Sequence, residues 1–356
     1  MNISKKNITD KIYKLLDEFL NISTKVIPKH PSIVVILMHE YFRSLYPSDP
    51  FIKERYDDDI FLNVQKCLEN NISILKSYLK VGSYLSFENI MDNSNSINQD
   101  KIKQMNNLFG SLWEERYKEK MLDSKDVINS LFNFNKLNLS SLVKGKYVID
   151  IGCGSGRFSS ALARLGAKSV VGVDINEQGL ELARNLVKQQ KIDNISFVNH
   201  DILNLPFDDE SFDFVFSKGV LHHTGDLDKG LNEYSRVLKK GGSGFLYLYA
   251  SGGIYWNSRK KMRDVMKLIP MEFSVKVLHS IGMPSRRTIF VDSWYVPIEE
   301  YVESRHIEEY FNNKNYNKIF RLKSSRSFEL DKIVLENGKW AKDMWGEGEL
   351  RYYLNK

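Results

Sequence analysis

The chain of 356 residues holds only two cysteines, Cys67 and Cys153. Two thiols build neither a disulfide framework nor a four-cysteine zinc site. Long apolar runs are also missing. The longest, Ile33 to Met38, falls far short of the roughly 20 residues that span a bilayer. The N-terminus, MNISKKNITDKIYKLLDEFL, is charged throughout and lacks the apolar segment of a secretory signal. Dense basic runs are absent too, although Lys+Arg exceed Asp+Glu by 51 to 45, a net charge of +6. Residues 1–100 carry 12 basic and 13 acidic side chains, and residues 146–250 carry the same numbers. The excess sits in 101–145, with 8 against 5, and in 251–356, with 19 against 14. A general nucleic-acid footprint is denser than this. A soluble, reduced, cytoplasmic protein without a membrane span is therefore expected.

The content of the chain is that of a folded protein: 42% hydrophobic and 27% charged residues. Its length favours two structural units. Residues 1–100 read as helical. Ile12, Leu15, Leu16, Phe19 and Leu20 fall on one helix face, with Thr9 or Asp10 as the cap, and further helical patterns run from Ile33 to Leu45 and from Ile60 to Leu79. Such a unit is expected to be a cap or a dimerisation domain, the latter implying a homodimer. The polar stretch 91–100 reads as a linker, and 101–145 as lead-in helices and linker.

At Lys146 the texture changes to short apolar runs alternating with helical patterns. Strands are expected at Tyr147–Ile151, Ser169–Val173, Ile195–Asn199, Phe212–Ser217 and Gly244–Tyr249, with helices near 156–165, 176–190 and 228–239. Two further strands fit Lys318–Lys323 and Leu350–Leu354. The fold class is α/β: a doubly wound, mostly parallel sheet over 146–356, with an insertion after the fifth strand at about 251–315.

The most informative stretch is Val148-Ile-Asp-Ile-Gly-Cys-Gly-Ser-Gly-Arg157. A strand ends in Asp150, and Gly152, Gly154 and Gly156 then allow a sharp turn and close approach of backbone to a ligand. A dinucleotide-binding loop needs its third glycine at 157, where Arg157 stands. An oxidoreductase reading fails on that spacing.

The loop instead resembles the first motif of class I S-adenosylmethionine-dependent methyltransferases, and the resemblance continues to about residue 250. Val170-Val-Gly-Val-Asp174 matches the second motif, Asn199-His-Asp201 with Leu205-Pro-Phe207 the third, Phe212–Ser217 running into Val220-Leu-His-His-Thr224 the fourth, and Arg236–Gly242 the fifth. Together they resemble the ubiquinone- and menaquinone-type subgroup. The resemblance implies S-adenosyl-L-methionine as cofactor and a Rossmann-like sheet. It also implies that Asp174 accepts from both ribose hydroxyls and Asp201 from the adenine amino group. Ile202 would be the apolar neighbour of the adenine, Asp150 would lie near the methionine end, and Ile175, Cys153 and Ser217 would complete the cofactor site. Phe109–Tyr117 resembles the aromatic lead-in helix of the subgroup, which makes Trp113 and Tyr117 candidates for a lid or simply for docking that helix.

Methyl transfer from a sulfonium mainly requires alignment, exclusion of water and, for some acceptors, a proton acceptor. His223 and His222 are the candidates, the alternative being that one fixes the loop and the other packs on the cofactor. Ser217-Lys-Gly-Val220 stands where base-amino methyltransferases carry Asp/Asn-Pro-Pro-aromatic. A Pro-Cys pair and the paired-glutamate loop of arginine methyltransferases are missing as well. A small-molecule acceptor, methylated at O, N or S, is the expectation. The basic last third suggests an anionic or glycan-linked one. Tyr249, Tyr255, Trp256, Arg259 and Tyr295 are candidate acceptor-binding residues, with core packing as their alternative, and Trp294–Glu300 resembles a segment before the sixth strand of related small-molecule methyltransferases that contributes to the acceptor pocket. Methylation of RNA or protein, or a non-catalytic accessory subunit, are the rival functions. No metal site is expected.

Overall fold

A computed structural model describes residues 5–45, 59–80, 123–282, 293–324, 330–337 and 339–356. Trp113 and Tyr117, with the lead-in helix expected to carry them, lie outside the described residues. The chain forms two compact units. One gathers residues 1–99, 251–296 and 328–348; the other gathers 100–250, 297–327 and 349–356.

The first unit is helical. It contains α1 (Lys5–Val26), α2 (Pro31–Leu45) and α3 (Asp59–Lys80). In α1 the stripe Ile12, Leu16, Phe19 and Leu20 is buried, as its spacing requires. The helix begins at Lys5, so Thr9 and Asp10 lie inside it and not at its cap. Ile8, four residues before Ile12, carries the stripe one turn further towards the N-terminus.

The second unit is built on a seven-stranded sheet. Its strands are β1 (Tyr147–Ile151), β2 (Ser169–Asp174), β3 (Ile195–Asn199), β4 (Phe212–Lys218), β5 (Leu238–Tyr249), β6 (Lys318–Arg321) and β7 (Glu349–Asn355). They run in the order β3-β2-β1-β4-β5-β7-β6. β1 to β5 are parallel, and β7 is antiparallel to both β5 and β6. Helices of this unit are α4 (Asp123–Phe134), α5 (Leu139–Val143), α6 (Arg157–Arg164), α7 (Glu177–Gln189) and α8 (Leu227–Val237). After the sheet's fifth strand the helical unit adds α9 (Gly253–Met266) and α10 (Met271–Ser280). The sheet unit then has α11 (Ser304–Asn313), and the helical unit closes with α12 (Leu330–Asn337) and α13 (Lys339–Trp345).

β5 starts six residues before the expected Gly244, because the Lys239–Gly242 stretch is held by the chain end. Gly241 N–H donates to the Lys356 carbonyl, and Lys356 N–H donates to the Gly242 carbonyl. Between β4 and β5 the register shifts at this point. The apolar strands explain the sheet's position. Val148, Phe214, Phe216 and Phe245 are buried together with Phe132 of α4 and Leu162 of α6. Phe245 stacks on Phe216 at 4.9 Å and tilts against Phe132 at 5.8 Å. Truncating such a ring leaves a cavity costing about 3–5 kcal/mol. Phe245→Ala is expected to lose that much stability in urea denaturation, and a loss below about 1 kcal/mol would show that this cluster is not the core.

Candidate active site

Strand order decides where a ligand can sit. β1 is flanked by β2 on one side and β4 on the other. This is the switch point of a doubly wound sheet, where a crevice opens beyond the strands' C-terminal ends. Asp150, in β1, Asp174, ending β2, and Asp201, just after β3, therefore come from three adjacent strands. The sequence motifs are thus brought to one edge.

The glycine loop crosses this edge. Gly152, Gly154 and Gly156 all have positive φ, at 74°, 54° and 72°, a region that residues with a side chain rarely occupy. Space is as restrictive as conformation. A Cβ at Gly152 would lie 2.3 Å from a Val220 methyl carbon, and one at Gly156 would lie 2.7 Å from the Phe197 ring. The loop's backbone is anchored: Gly152 and Cys153 N–H groups donate to the Val173 carbonyl at 2.8 and 3.0 Å. Gly154 N–H donates to Asp174 Oδ2 at 2.7 Å, and Asn176 N–H donates to Asp174 Oδ1 at 2.9 Å.

Both Asp174 oxygens thus accept from backbone donors. A carboxylate offers about four acceptor positions, so both oxygens retain capacity for a pair of neighbouring hydroxyls. Burial pushes the Asp174 carboxyl above its ordinary range, against its backbone hydrogen bonds. Asp201 is exposed, and its Oδ1 accepts from Leu203 N–H at 2.9 Å. Ile202 beside it is buried, whereas Ile175 is exposed.

Asp150 lies beneath the loop and is almost fully buried. Ser159 Oγ donates to its Oδ2 at 2.6 Å. Burial raises this carboxyl to about 7, with repulsion from Asp174 adding and the Ser159 hydrogen bond opposing. Cys153 is buried, and its thiol is pushed well up by burial and by the carboxylates of Asp174 and Asp150. It fills space and stays neutral. At the end of β4 the buried Ser217 Oγ has no hydrogen-bond partner among the described residues. A buried hydroxyl without a partner, an acid with acceptor capacity and a loop open to close backbone approach fit a polar nucleoside ligand.

The turn after β4 carries the two histidines. Leu221–His223 is a single 3₁₀ turn, and both imidazoles are buried. The His222 ring lies 4.1 Å from that of His223 and 4.1 Å from that of Tyr249. His223 Nδ1 donates to the Ile298 carbonyl at 2.7 Å, and Glu300 N–H donates to the His222 carbonyl at 2.8 Å. Tyr249 is thereby brought together with the histidine pair. A cavity of about 570 Å³ near this turn is lined by Asp226, Asp228, Glu300 and Glu303. His306 Nε2 bonds Asp228 at 2.8 Å within it. The Glu300 carboxyl is raised by burial and by Asp226 and Asp228.

The other candidate acceptor residues belong to the helical unit. Tyr255, Trp256 and Arg259 are buried along α9, all below 5% exposure. Trp256 Nε1 donates to the Gly348 carbonyl at 3.0 Å, and the Arg259 guanidinium lies 5.6 Å over the Trp256 ring. Tyr295 bonds Ser274 at 2.6 Å and donates to the Ile269 carbonyl at 3.2 Å. These contacts are those of core packing. Ser159 and the close approach of Val220 to Gly152 were not foreseen, although Ser159 had a signal as a hydroxyl in the helix after the glycine loop. Ile298 and Glu300 belong to the Trp294–Glu300 segment that was expected near the acceptor, and they act here through backbone atoms.

Among the described residues no group of His, Cys, Asp and Glu is arranged to hold a metal ion, and no helix is long and apolar enough to cross a membrane. The strand order is that of a doubly wound α/β sheet, and residues 142–275 match the family described as a methyltransferase domain. Curated relatives agree. The chain is 31% identical over 150 residues to the ubiquinone biosynthesis O-methyltransferase of Coxiella burnetii, covering 42% of this chain and 62% of that protein. It is 29% identical over 160 residues to the enzyme of the same name from Pelagibacter ubique, covering 43% and 65%. It is 32% identical over 155 residues to the demethylmenaquinone methyltransferase of Staphylococcus epidermidis, covering 41% and 60%. The chain spans about three fifths of the length of these relatives. The likeness to these enzymes lies in the part of the chain that holds the glycine loop and the parallel strands.

Proposed function

We propose that the protein transfers the methyl group of S-adenosylmethionine to an O, N or S atom of a small-molecule metabolite. The observation that carries this reading is the meeting of Asp150, Asp174 and Asp201 at one switch point, over a loop whose three glycines all have positive φ. The cofactor supplies an electrophilic methyl group on a sulfonium. Asp174 takes the ribose hydroxyls on its two half-used oxygens. Asp201 takes the adenine amino group, with Ile175 and Ile202 beside the base. The Gly152–Gly156 backbone approaches the methionine part closely, and Asp150 and Ser217 lie towards it. Trp113 and Tyr117 remain candidates for covering the cofactor.

A small acceptor is supported by the names of the relatives, which refer to ubiquinone biosynthesis and to demethylmenaquinone. The acidic lining of the cavity near the histidine turn disfavours an anionic group there, so the basic excess of the last third acts elsewhere in this reading. A cytoplasmic location goes with two free thiols, Cys67 and Cys153.

The test is incubation with S-adenosylmethionine labelled in its methyl group and a cell extract, followed by fractionation into small molecules, RNA and protein. Label is expected in the small-molecule fraction. Label confined to RNA or protein would contradict the acceptor class, and RNA methylation would also weaken steeply with salt. A protein that binds the cofactor yet labels nothing would fit the accessory-subunit reading instead.

A further inference from the structure

β4 ends in a lysine that two aromatic rings hold in place. Ser217 pairs with Ile151 of β1, so Lys218, one residue on, stands level with the start of the glycine loop. Lys218 pairs with Tyr247 of β5, and Tyr247 pairs with Arg351 of β7. These three residues form one row across the sheet edge beyond which a doubly wound sheet takes its ligands. The Lys218 Nζ lies 5.0 Å from the centre of the Phe158 ring and 5.1 Å from that of Tyr247. The Arg157 guanidinium shares the Phe158 ring at 5.1 Å, and the Arg351 guanidinium shares the Tyr247 ring at 4.9 Å.

Neighbouring groups fix the row. Phe158 packs at 5.6 Å on Phe216, two residues before Lys218 and on the same strand face. Arg157 Nε donates to Ser124 Oγ of α4. Tyr247 Oη donates to Glu349 Oε1 at 2.9 Å, and Arg351 pairs with the other oxygen of that carboxylate. A lysine gripped by two rings keeps its charge at one point instead of swinging through solvent. Arg157, Lys218 and Arg351 are nevertheless only partly buried, so each charge reaches the surface. Two cations that share a ring stand within about 10 Å of each other, about one Debye length at moderate salt. Three positive charges brought that close at a concave edge raise the local potential and favour an anion.

Building on the methyl-transfer reading, we infer that this row is the subsite for an anionic group of the acceptor, a carboxylate or a phosphate, with Lys218 as its central contact. The position selects the acceptor over the cofactor. Asp174 ends β2 and Asp201 follows β3, so in that reading the nucleoside lies on their side of β1. Lys218, Tyr247 and Arg351 belong to β4, β5 and β7, on the other side. A molecule in line with the transferred methyl group lies over the row. The acid-lined cavity near the histidine turn has the opposite sign and turns such a group away. The acceptor is an acidic metabolite, held by its charge while another of its atoms takes the methyl group.

The probe is the labelled small-molecule product that wild-type protein makes from a cell extract and methyl-labelled S-adenosylmethionine. It is expected to be retained by an anion-exchange resin at neutral pH and released by salt. Equilibrium dialysis of this product against protein saturated with S-adenosylhomocysteine then reads the subsite without turnover. Lys218→Met nearly keeps the side chain's length and loses its charge, and should weaken product binding about 10-fold or more. Lys218→Arg keeps the charge and should stay within about threefold of wild type. Both variants should bind S-adenosylmethionine within about twofold of wild type, which shows that the fold survives. A product that passes through the resin, undiminished product binding by Lys218→Met, or an equal loss in Lys218→Arg would each overturn the inference and leave the methyl-transfer reading standing. Loss of S-adenosylmethionine by Lys218→Met with product binding kept would assign the row to the cofactor's own carboxylate, and overturns the inference too. Wild-type protein that binds the cofactor and labels no small molecule would overturn the methyl-transfer reading with it.

Discussion

Asp150→Asn is expected to stabilise the cofactor-free protein at pH 8 while weakening its hold on S-adenosylmethionine. The Asp150 carboxyl is raised from 3.8 to about 7, first by burial and then by the nearby Asp174 charge. The folded protein therefore binds this proton more tightly than the unfolded chain does. The protonated group's contribution is intact below pH ~4 and is lost as pH rises through about 7. Over that window stability falls by about 1.4 kcal/mol per pH unit from this group alone, reaching the order of a few kcal/mol above pH 7. Asparagine does not ionise, and its amide oxygen still accepts from Ser159. Thermal melts of both proteins should converge near pH 4 and separate progressively towards pH 8, the variant melting higher. Cofactor titrations at pH 8 should show weaker binding by the variant, because in the proposed reading a buried negative charge towards the cationic methionine end is removed. A variant less stable than wild type at pH 8 would mean that Asp150 is not strained by its surroundings.

Gly152→Ala acts through shape and not through charge. With φ at 74° the residue pays a strain of about 1–3 kcal/mol once it has a side chain. The new Cβ, 2.3 Å from a Val220 methyl carbon, adds overpacking of about 1–3 kcal/mol. The combined loss of roughly 2–6 kcal/mol should appear in denaturant melts, together with loss of measurable cofactor binding. Adding Val220→Ala should restore part of the stability, since it removes methyl groups but leaves the strain. Full stability in Gly152→Ala would show that the loop can relax, and the close approach to the turn would lose its meaning.

Much of the sheet that carries this site is legible in the sequence. Tyr147–Ile151 and Ile195–Asn199 match to the residue, and the C-terminal ends of β2 and β4 to within one residue, because apolar runs of strand length are punctuated by glycine and acids. The order of Asp150, Asp174 and Asp201 then required adjacent strands. Tyr255, Trp256 and Arg259 were not legible as core residues. An aromatic and basic stretch at helical spacing looks alike on a binding wall and in a helix interface, and only the partners packed against α9 decide between them. Nor did the pattern show that residues 251–296 and 328–348 gather with the first 99, since that depends on which apolar faces meet. The Trp294–Glu300 segment stood out, but the contact Ile298 makes did not: every residue offers a backbone carbonyl, so one that meets a histidine leaves no trace in residue type.

The most direct measurement is a calorimetric titration of the protein with S-adenosylmethionine, alongside Asp174→Ala. Asp174 holds the glycine loop at Gly154 N–H, so its removal takes away one of the loop's anchors and, in the proposed reading, the ribose partner. Saturable heat at about one cofactor per chain is expected for wild type, with none for Asp174→Ala under the same conditions. No heat from wild-type protein, or equal binding by both, would contradict the account.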